Sequence, residues 1–439
     1  MSDTDTKNTH IRFLIIAVLF IISSINYASR ATMSFAAVPL AKEIGISTVQ
    51  MGWVLSAFGW SYVAGQIPGG AMLDRYGSRT IYLWSISLWA IFTGAQAFVS
   101  YLSVVPVFIS LFMLRLLLGA SESPSFPANA RIVANWFPNS ERGTASAIFN
   151  ASQYFSLVAF APLMGWLAQD FGWRSVFLAM GIIGLIGAAL FWAVVDSPAR
   201  HKWINKGEFD HIEKNGALVN LDRPADKPQP IRWSSVGQLL SNRMLLGIYL
   251  AQYCITALTY FYATWFPIYL IQARGMSLTG AGFASAGPAI AGFVGGVLGG
   301  VASDLLLKKG VPLSRARKTV ILVGLVISCS ILLANYTDSQ FFIMMFMSFA
   351  FFGKGVAALG WAVMSDAAPR EATGLSGSIF NLFGNAAGIF TPIGIGYILA
   401  ATGNNWNMAL IFVFAHSIVA MISYGFITGE IKRIVLRPV

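Results

Sequence analysis

Charge is what this chain has least of. Only 11% of its 439 residues are Asp, Glu, Lys or Arg, where a soluble domain carries about 25%. Hydrophobic residues make up 56% and the mean hydropathy is +0.66. That balance excludes an ordinary soluble protein and implies an integral membrane protein. Cysteine is also scarce. Cys254 and Cys329 both fall in apolar runs, so no disulfide framework is implied and the compartment stays open. The four histidines, His10, His201, His211 and His416, are scattered. No Cys/His cluster has metal-ligand spacing, so neither a metal nor another cofactor is expected. Acids are short as well, 18 against 29 basic residues, for a net charge of +11. Such an excess can point to nucleic acid, but its distribution argues for a membrane instead.

Twelve apolar stretches are long enough to cross a ~30 Å hydrocarbon core as helices. They fall at about 13–41, 51–73, 80–100, 104–129, 143–168 and 175–195, then 245–271, 278–303, 319–336, 341–365, 373–399 and 406–428. The first continues past Arg30 to Ala41, so it reads as a retained span and not as a signal peptide. Residues 1–10 are polar and expected to be disordered. The expected layout is an N-terminal six-helix bundle (1–195), a cytoplasmic linker (196–244) and a C-terminal six-helix bundle (245–439). The linker holds an amphipathic piece near Lys206–Leu218 and a Pro/Lys/Asp-rich tract at 222–230. With the N-terminus inside, the outer loops hold only Lys42, Arg174 and Arg274. Arg30, Arg115 and Lys354 lie at membrane depth, and the rest of the 29 basic residues fall inside. That asymmetry obeys the positive-inside rule and accounts for the net charge without nucleic acid.

The charges at membrane depth point to function. Arg115 ends a run from Thr80 that has no charged residue, and Glu122 is the one acid placed deep in the apolar part. Seven residues of helix are about two turns, so both side chains share a face ~10 Å apart along the axis. An intramembrane charge costs at least ~2.5–3.5 kcal/mol, which is why such groups usually act in transport. Glu122 is therefore expected to pair with Arg115 when ionised and to carry a proton. A structural ion pair is the competing reading. Pro124 and Pro127, expected in the same helix, free backbone carbonyls.

The chain also repeats. Gly70-Ala71-Met72-Leu73-Asp74 recurs as Gly300-Val301-Ala302-Ser303-Asp304 at an offset of 230 residues. Ile148-Phe149-Asn150 recurs as Ile379-Phe380-Asn381 at 231, and Pro162 matches Pro392 at 230. A duplicated six-span unit of parallel topology follows, an arrangement in which transporters place substrate between the repeats. The string Gly70-x-x-x-Asp74-Arg75-x-Gly77-x-Arg79 between spans two and three is the loop motif of the major facilitator superfamily, which the chain resembles over its whole length. Asp74, Arg75, Arg79 and the second copy, Asp304, are candidates for a conformational latch.

Further strings narrow the resemblance. Asn26-Tyr27-Ala28-Ser29-Arg30, Gln66-Ile67-Pro68-Gly69-Gly70, Glu122-Ser123-Pro124-Ser125-Phe126-Pro127 and Asn135-Trp136-Phe137-Pro138 resemble the anion:cation symporters. Glu141-Arg142-Gly143-Thr144-Ala145-Ser146 and Phe351-Phe352-Gly353-Lys354-Gly355 are most similar to the bacterial glucarate/galactarate (hexarate) permeases. The resemblance implies proton-coupled uptake of an aldarate across a bacterial inner membrane; the charge distribution places both termini in the cytoplasm, and a monomer is expected. It also implies substrate contacts at Gln153, Asn381, Tyr27 and Tyr62. One position departs from the family. Its first-helix motif carries an acid directly before the arginine, and Ser29 stands there, which cannot titrate.

Charge arithmetic agrees with an anion. Arg30, Arg115 and Lys354 against Glu122 leave a formal +2 at membrane depth, which is expensive unless an anion completes it. Arg30 and Lys354, in different halves, are expected to hold the two carboxylates of a six-carbon diacid. Snorkelling competes for Lys354. Asn150 with Gln153, and Asn381 with Asn385, each present one helix face to hydroxyl groups, unless they serve as interhelical glue. Trp361, two turns beyond Lys354, is a further candidate. An enzyme is not expected, because Glu122 has no partner acid and no nearby histidine. A monocarboxylate permease, a proton-uncoupled exchanger and a substrate sensor remain as alternatives, the last two because of Ser29.

Overall fold

A computed structural model describes residues 9–101, 106–221, 233–369 and 372–436. Lys7, Arg223, Lys227, Arg232, Arg370, Arg437 and the tract at 222–230 lie outside them. The regular structure of the described residues is all helical, with no strand among them. The first half contains α1 (Ile11–Ile44), α2 (Thr48–Tyr76), α3 (Ser78–Ala95), α4 (Val107–Glu122), α5 (Ser125–Trp136), α6 (Arg142–Asp170) and α7 (Trp173–Val194). Two short helices follow, α8 (Lys206–Lys214) and α9 (Trp233–Ser241). The second half contains α10 (Arg243–Thr264), α11 (Phe266–Gln272), α12 (Leu278–Lys308), α13 (Leu313–Ser328), α14 (Gln340–Val356), α15 (Gly360–Ala367), α16 (Thr373–Ala401) and α17 (Trp406–Ile422). α4–α5 and α14–α15 are each one interrupted span, and α11 follows directly on α10. Among the described residues, eleven spans are long and apolar enough to cross a bilayer, and α2, with 29 residues, supplies a twelfth helix. The expected twelve-helix architecture is present.

The interruptions have local causes. Pro124 lacks an amide hydrogen, so the α4 ladder ends at Glu122, and α5 starts with Pro127 inside its first turn. The expected single helix through Pro124 is thus two. The Ser123 hydroxyl satisfies carbonyls left over at the break, Ala120 at 2.8 Å and Gly65 at 3.0 Å. α14 ends at Val356, and Ala357–Leu359 separate it from α15. Helix starts are capped by side chains: Asn242 for α10, Ser277 for α12 and Asn405 for α17.

The chain packs as two compact units. Of the described residues, one unit holds 9–32, 60–101, 106–157 and 171–221; the other holds 33–59, 158–170, 233–369 and 372–436. α1, α2 and α6 therefore pass from one unit to the other. In the second unit, backbones approach through glycine. A Cβ on Gly52 would stand 2.8 Å from the Pro392 carbonyl oxygen, and one on Gly59 2.9 Å from the Gly388 carbonyl carbon. α12 lies on α14 in the same way, Gly295 and Gly299 against the carbonyls of Phe352 and Val356. The amphipathic piece expected in the linker is α8, whereas α9 had no clear signal in the sequence.

Candidate functional site

Arg30, near the middle of α1, is the centre of the first unit's polar interior. Its Nε donates to Glu122 Oε2 at 2.7 Å and its Nη2 to Asn26 Oδ1 at 3.1 Å. The guanidinium lies 4.8 Å from the centroids of both Tyr27 and Tyr62. Aromatic faces and a carboxylate thus replace the water a cation at this depth would lose. Glu122, the last residue of α4, is fully buried, and the Arg30 side chain is 18% exposed. Glu122 Oε1 has no hydrogen-bond partner.

The partner of Glu122 differs from the expected one. Arg115, buried, turns both terminal nitrogens to the main-chain carbonyl of Arg30 at 3.4 Å, and its Nε makes no hydrogen bond. The two-turn spacing put both groups on one face of α4. It could not show that a residue 92 positions away would reach the carboxylate first. Ser29 is fully buried beside this site, and its hydroxyl donates to the Ile25 carbonyl at 3.0 Å.

Gln153, on α6, donates to its own helix at Asn150 O (3.2 Å), and Asn150 donates to Ser146 O (2.8 Å). Of the first-half candidates, the structure brings together Arg30, Tyr27, Tyr62 and Glu122, with Arg115 on the Arg30 backbone. In the second unit it joins Asn381 and Asn385. Asn385 Nδ2 donates to Asn381 Oδ1 at 3.0 Å, and Tyr260 donates to Asn385 Oδ1 at 3.2 Å. Lys354 is 6% exposed, its Nζ 5.1 Å from the Phe351 ring centroid. Trp361 is exposed and meets Phe380 edge-on at 5.0 Å.

Sequence reading missed a polar file on α10. Gln252, Thr256 and Tyr260 stand four residues apart, and Gln252 donates to Thr256 at 3.2 Å. Opposite them α16 has Gly384 and Gly388, where a Cβ would press on Gln252, Thr256 and the Tyr260 ring. The signal was available, because the repeat offset of 230 sets Tyr260 against Arg30 and Thr256 against Asn26.

The latch candidates pair differently from the motif's own order. Arg131, from α5, bonds Asp74 and Ser78 Oγ (3.2 Å); Arg79 bonds Asp196 at 2.9 Å. Arg75 lies over the neighbouring Tyr76 ring. In the second copy Arg317 bonds both Asp304 at 3.2 Å and Asp366 at 3.1 Å. Among the described residues no His, Cys, Asp or Glu group could hold a metal ion.

Comparison with known proteins places this geometry. The chain matches the Major Facilitator Superfamily over residues 19–392. It is 53% identical to the probable galactarate/D-glucarate transporter GudP of Bacillus subtilis (strain 168), over 98% of this chain and 95% of that protein. It is 51% identical to the probable galactarate/D-glucarate transporter GudP of Escherichia coli (strain K12), over 99% and 97%. Among solved structures, a D-xylose-proton symporter superposes with a TM-score of 0.72 at 15% identity, over 96% of this chain and 98% of that one, which speaks for the fold alone. The chain is a multi-pass membrane protein that belongs to the Major Facilitator Superfamily.

Proposed function

We propose that this chain imports a sugar diacid of the galactarate or D-glucarate type, with protons, by alternating access across a bacterial inner membrane, both termini being cytoplasmic. The observation that carries the reading is Arg30, a guanidinium braced by two tyrosine faces with its Nε on a fully buried carboxylate. While Glu122 is ionised, it competes with any other anion for that guanidinium. A proton on Glu122 ends the competition, so proton and substrate carboxylate bind with positive coupling, as a symporter requires. Lys354, also buried, supplies a cation for a second carboxylate. Tyr260, Asn381, Asn385 and Gln153 supply donors and acceptors for hydroxyl groups. The names of the relatives support a diacid of this kind.

The experiment is transport by the purified chain in vesicles with labelled galactarate. An acid exterior should drive accumulation of galactarate and D-glucarate, with galactitol, the neutral polyol of equal length, excluded. Uptake of galactitol in preference to the diacids overturns the reading. A proton-uncoupled exchanger is favoured by one observation, the buried Ser29 whose hydroxyl is spent on its own helix. Counterflow without gradient-driven accumulation would select it.

A further inference from the structure

Glu122 has no exposed surface, and the proposed import requires its proton to leave on the inner side. Within the first unit a file of buried polar groups runs that way. On α1, Asn26 and Ser23 stand four and seven residues before Arg30 and share its face. On α5, Asn129 stands seven residues beyond Glu122, past the break at Pro124. Its Nδ2 donates to Ser23 Oγ at 2.9 Å. α3 brings Tyr82 beside Ser23 and Asn129, and one turn further Ser78 accepts from Arg131, which holds Asp74. The Asp74 side chain is 54% exposed, so the file opens there.

Four atoms along this file are buried and have no hydrogen-bond partner: Glu122 Oε1, Asn26 Nδ2, Asn129 Oδ1 and Tyr82 Oη. Asn26 lies beside the Glu122 carboxylate, as Tyr82 lies beside Ser23 and Asn129, without hydrogen-bond geometry. Buried polar atoms are nearly always paired, by ordered water where protein partners fail. Packing alone would be served as well by apolar side chains. Four such atoms on four neighbouring helices, aligned from a buried acid to an exposed one, have the pattern of a hydrated path.

We propose that Asn26, Ser23, Asn129, Tyr82 and Ser78 line a water-bearing track that carries the proton from Glu122 to the inner face at Asp74. One proton leaves the Glu122 carboxyl and one reaches the inner solution. Each intervening water, and the Tyr82 hydroxyl, accepts one and releases one. Asn26 and Asn129 orient water without titrating. The track is separate from Arg30 and the substrate groups, and it rests on the proton-coupled reading above.

The test is the Tyr82→Phe and Asn129→Leu variants of the full chain in vesicles. Counterflow exchange of galactarate needs no net proton release and stays within about twofold of wild type. Gradient-driven uptake falls about tenfold, and its solvent deuterium isotope effect rises. Asn129→Ser, which keeps a group able to orient water, restores most of the rate. Counterflow and driven uptake falling together would mean a packing role and overturn the track. So would driven uptake at the wild-type rate in Tyr82→Phe while Glu122→Gln abolishes it. If wild-type uptake ignores the pH gradient altogether, the coupled reading fails and the track fails with it.

Discussion

Arg30 shows how much of this protein is decided at single residues. A lone cation at membrane depth is costly, and the fold offsets that cost with two aromatic faces, an amide and one carboxylate. Lys354 is the contrasting cation, buried against Phe351. In the proposed function it reads a second carboxylate. Lys354→Ala should then weaken galactarate binding by about 1.5–3 kcal/mol, roughly 10- to 150-fold, and leave galactonate little changed. Equilibrium binding of the two acids to the purified variant checks this; equal losses would remove Lys354 from that role. Arg30, Glu122, Tyr27 and Tyr62 were legible in the sequence because charge among apolar residues stands out and the motif strings frame it. The Arg30–Glu122 bond was not legible, since it joins α1 to α4 and no local spacing encodes it. Tyr260 was overlooked for the opposite reason. A tyrosine in an apolar run is ordinarily core, and only the repeat offset sets it apart.

Helices add a level that residue spacing does not contain. Most expected spans match the observed ones to within a few residues, since hydropathy and length mark a membrane crossing. The fourth, however, runs on to Trp136, the seventh ends at Thr264 and the ninth starts at Leu313, six or seven residues from the expected bounds. The breaks in α4–α5 and α14–α15 put Glu122 at a helix end and Lys354 in the last turn of α14, and only the proline at the first break announced them. The linker was harder still. α8 is docked because Glu208, fully buried, accepts from Thr9 Oγ1 (2.6 Å), the backbone amides of Ile11 (2.8 Å) and Arg12 (3.2 Å), and the Arg12 guanidinium (3.2 Å). It thereby caps the N-terminus of α1 from 196 residues away. Burial pushes its carboxyl up, but the hydrogen bonds from Thr9, Ile11 and Arg12 outweigh burial and leave it below the usual carboxylate range. A depressed carboxylate stabilises above its unfolded pKa, about 4.3, and that stability fades as pH falls through the lowered value. The dock should be intact at neutral pH and loosen only in acid. Hydrogen exchange over 206–214, corrected for intrinsic rates, should show that order at neutral and acid pH. Glu208→Gln should loosen it already at pH 7, and unchanged protection would show that the ion pair does not hold α8.

At the scale of the whole molecule, the repeat and the charge pattern were readable, while the packing units were not. The offset of 230 residues leads to the expectation of two six-helix halves. The compact units cut across α1, α2 and α6, because glycine contacts such as Gly52 on Pro392 tie residues 33–59 to α16. The loop motif likewise foretold charged groups at Asp74 and Asp304, but their partners Arg131 and Arg317 come from other helices. Charge also bears on transport. A dianion entering with one proton moves net negative charge inward, against ~2.3 kcal/mol per 100 mV of an inside-negative potential. In the proposed function Ser29 offers no second proton site, so the weight of coupling would fall on Glu122. The most direct test is accumulation of labelled galactarate in vesicles with the membrane potential clamped at zero and the exterior made acid. Wild type should concentrate galactarate above the equilibrium level in proportion to the pH gradient. Glu122→Gln should stop at equilibrium while retaining measurable, slower counterflow. Uphill accumulation by Glu122→Gln equal to wild type would contradict the account.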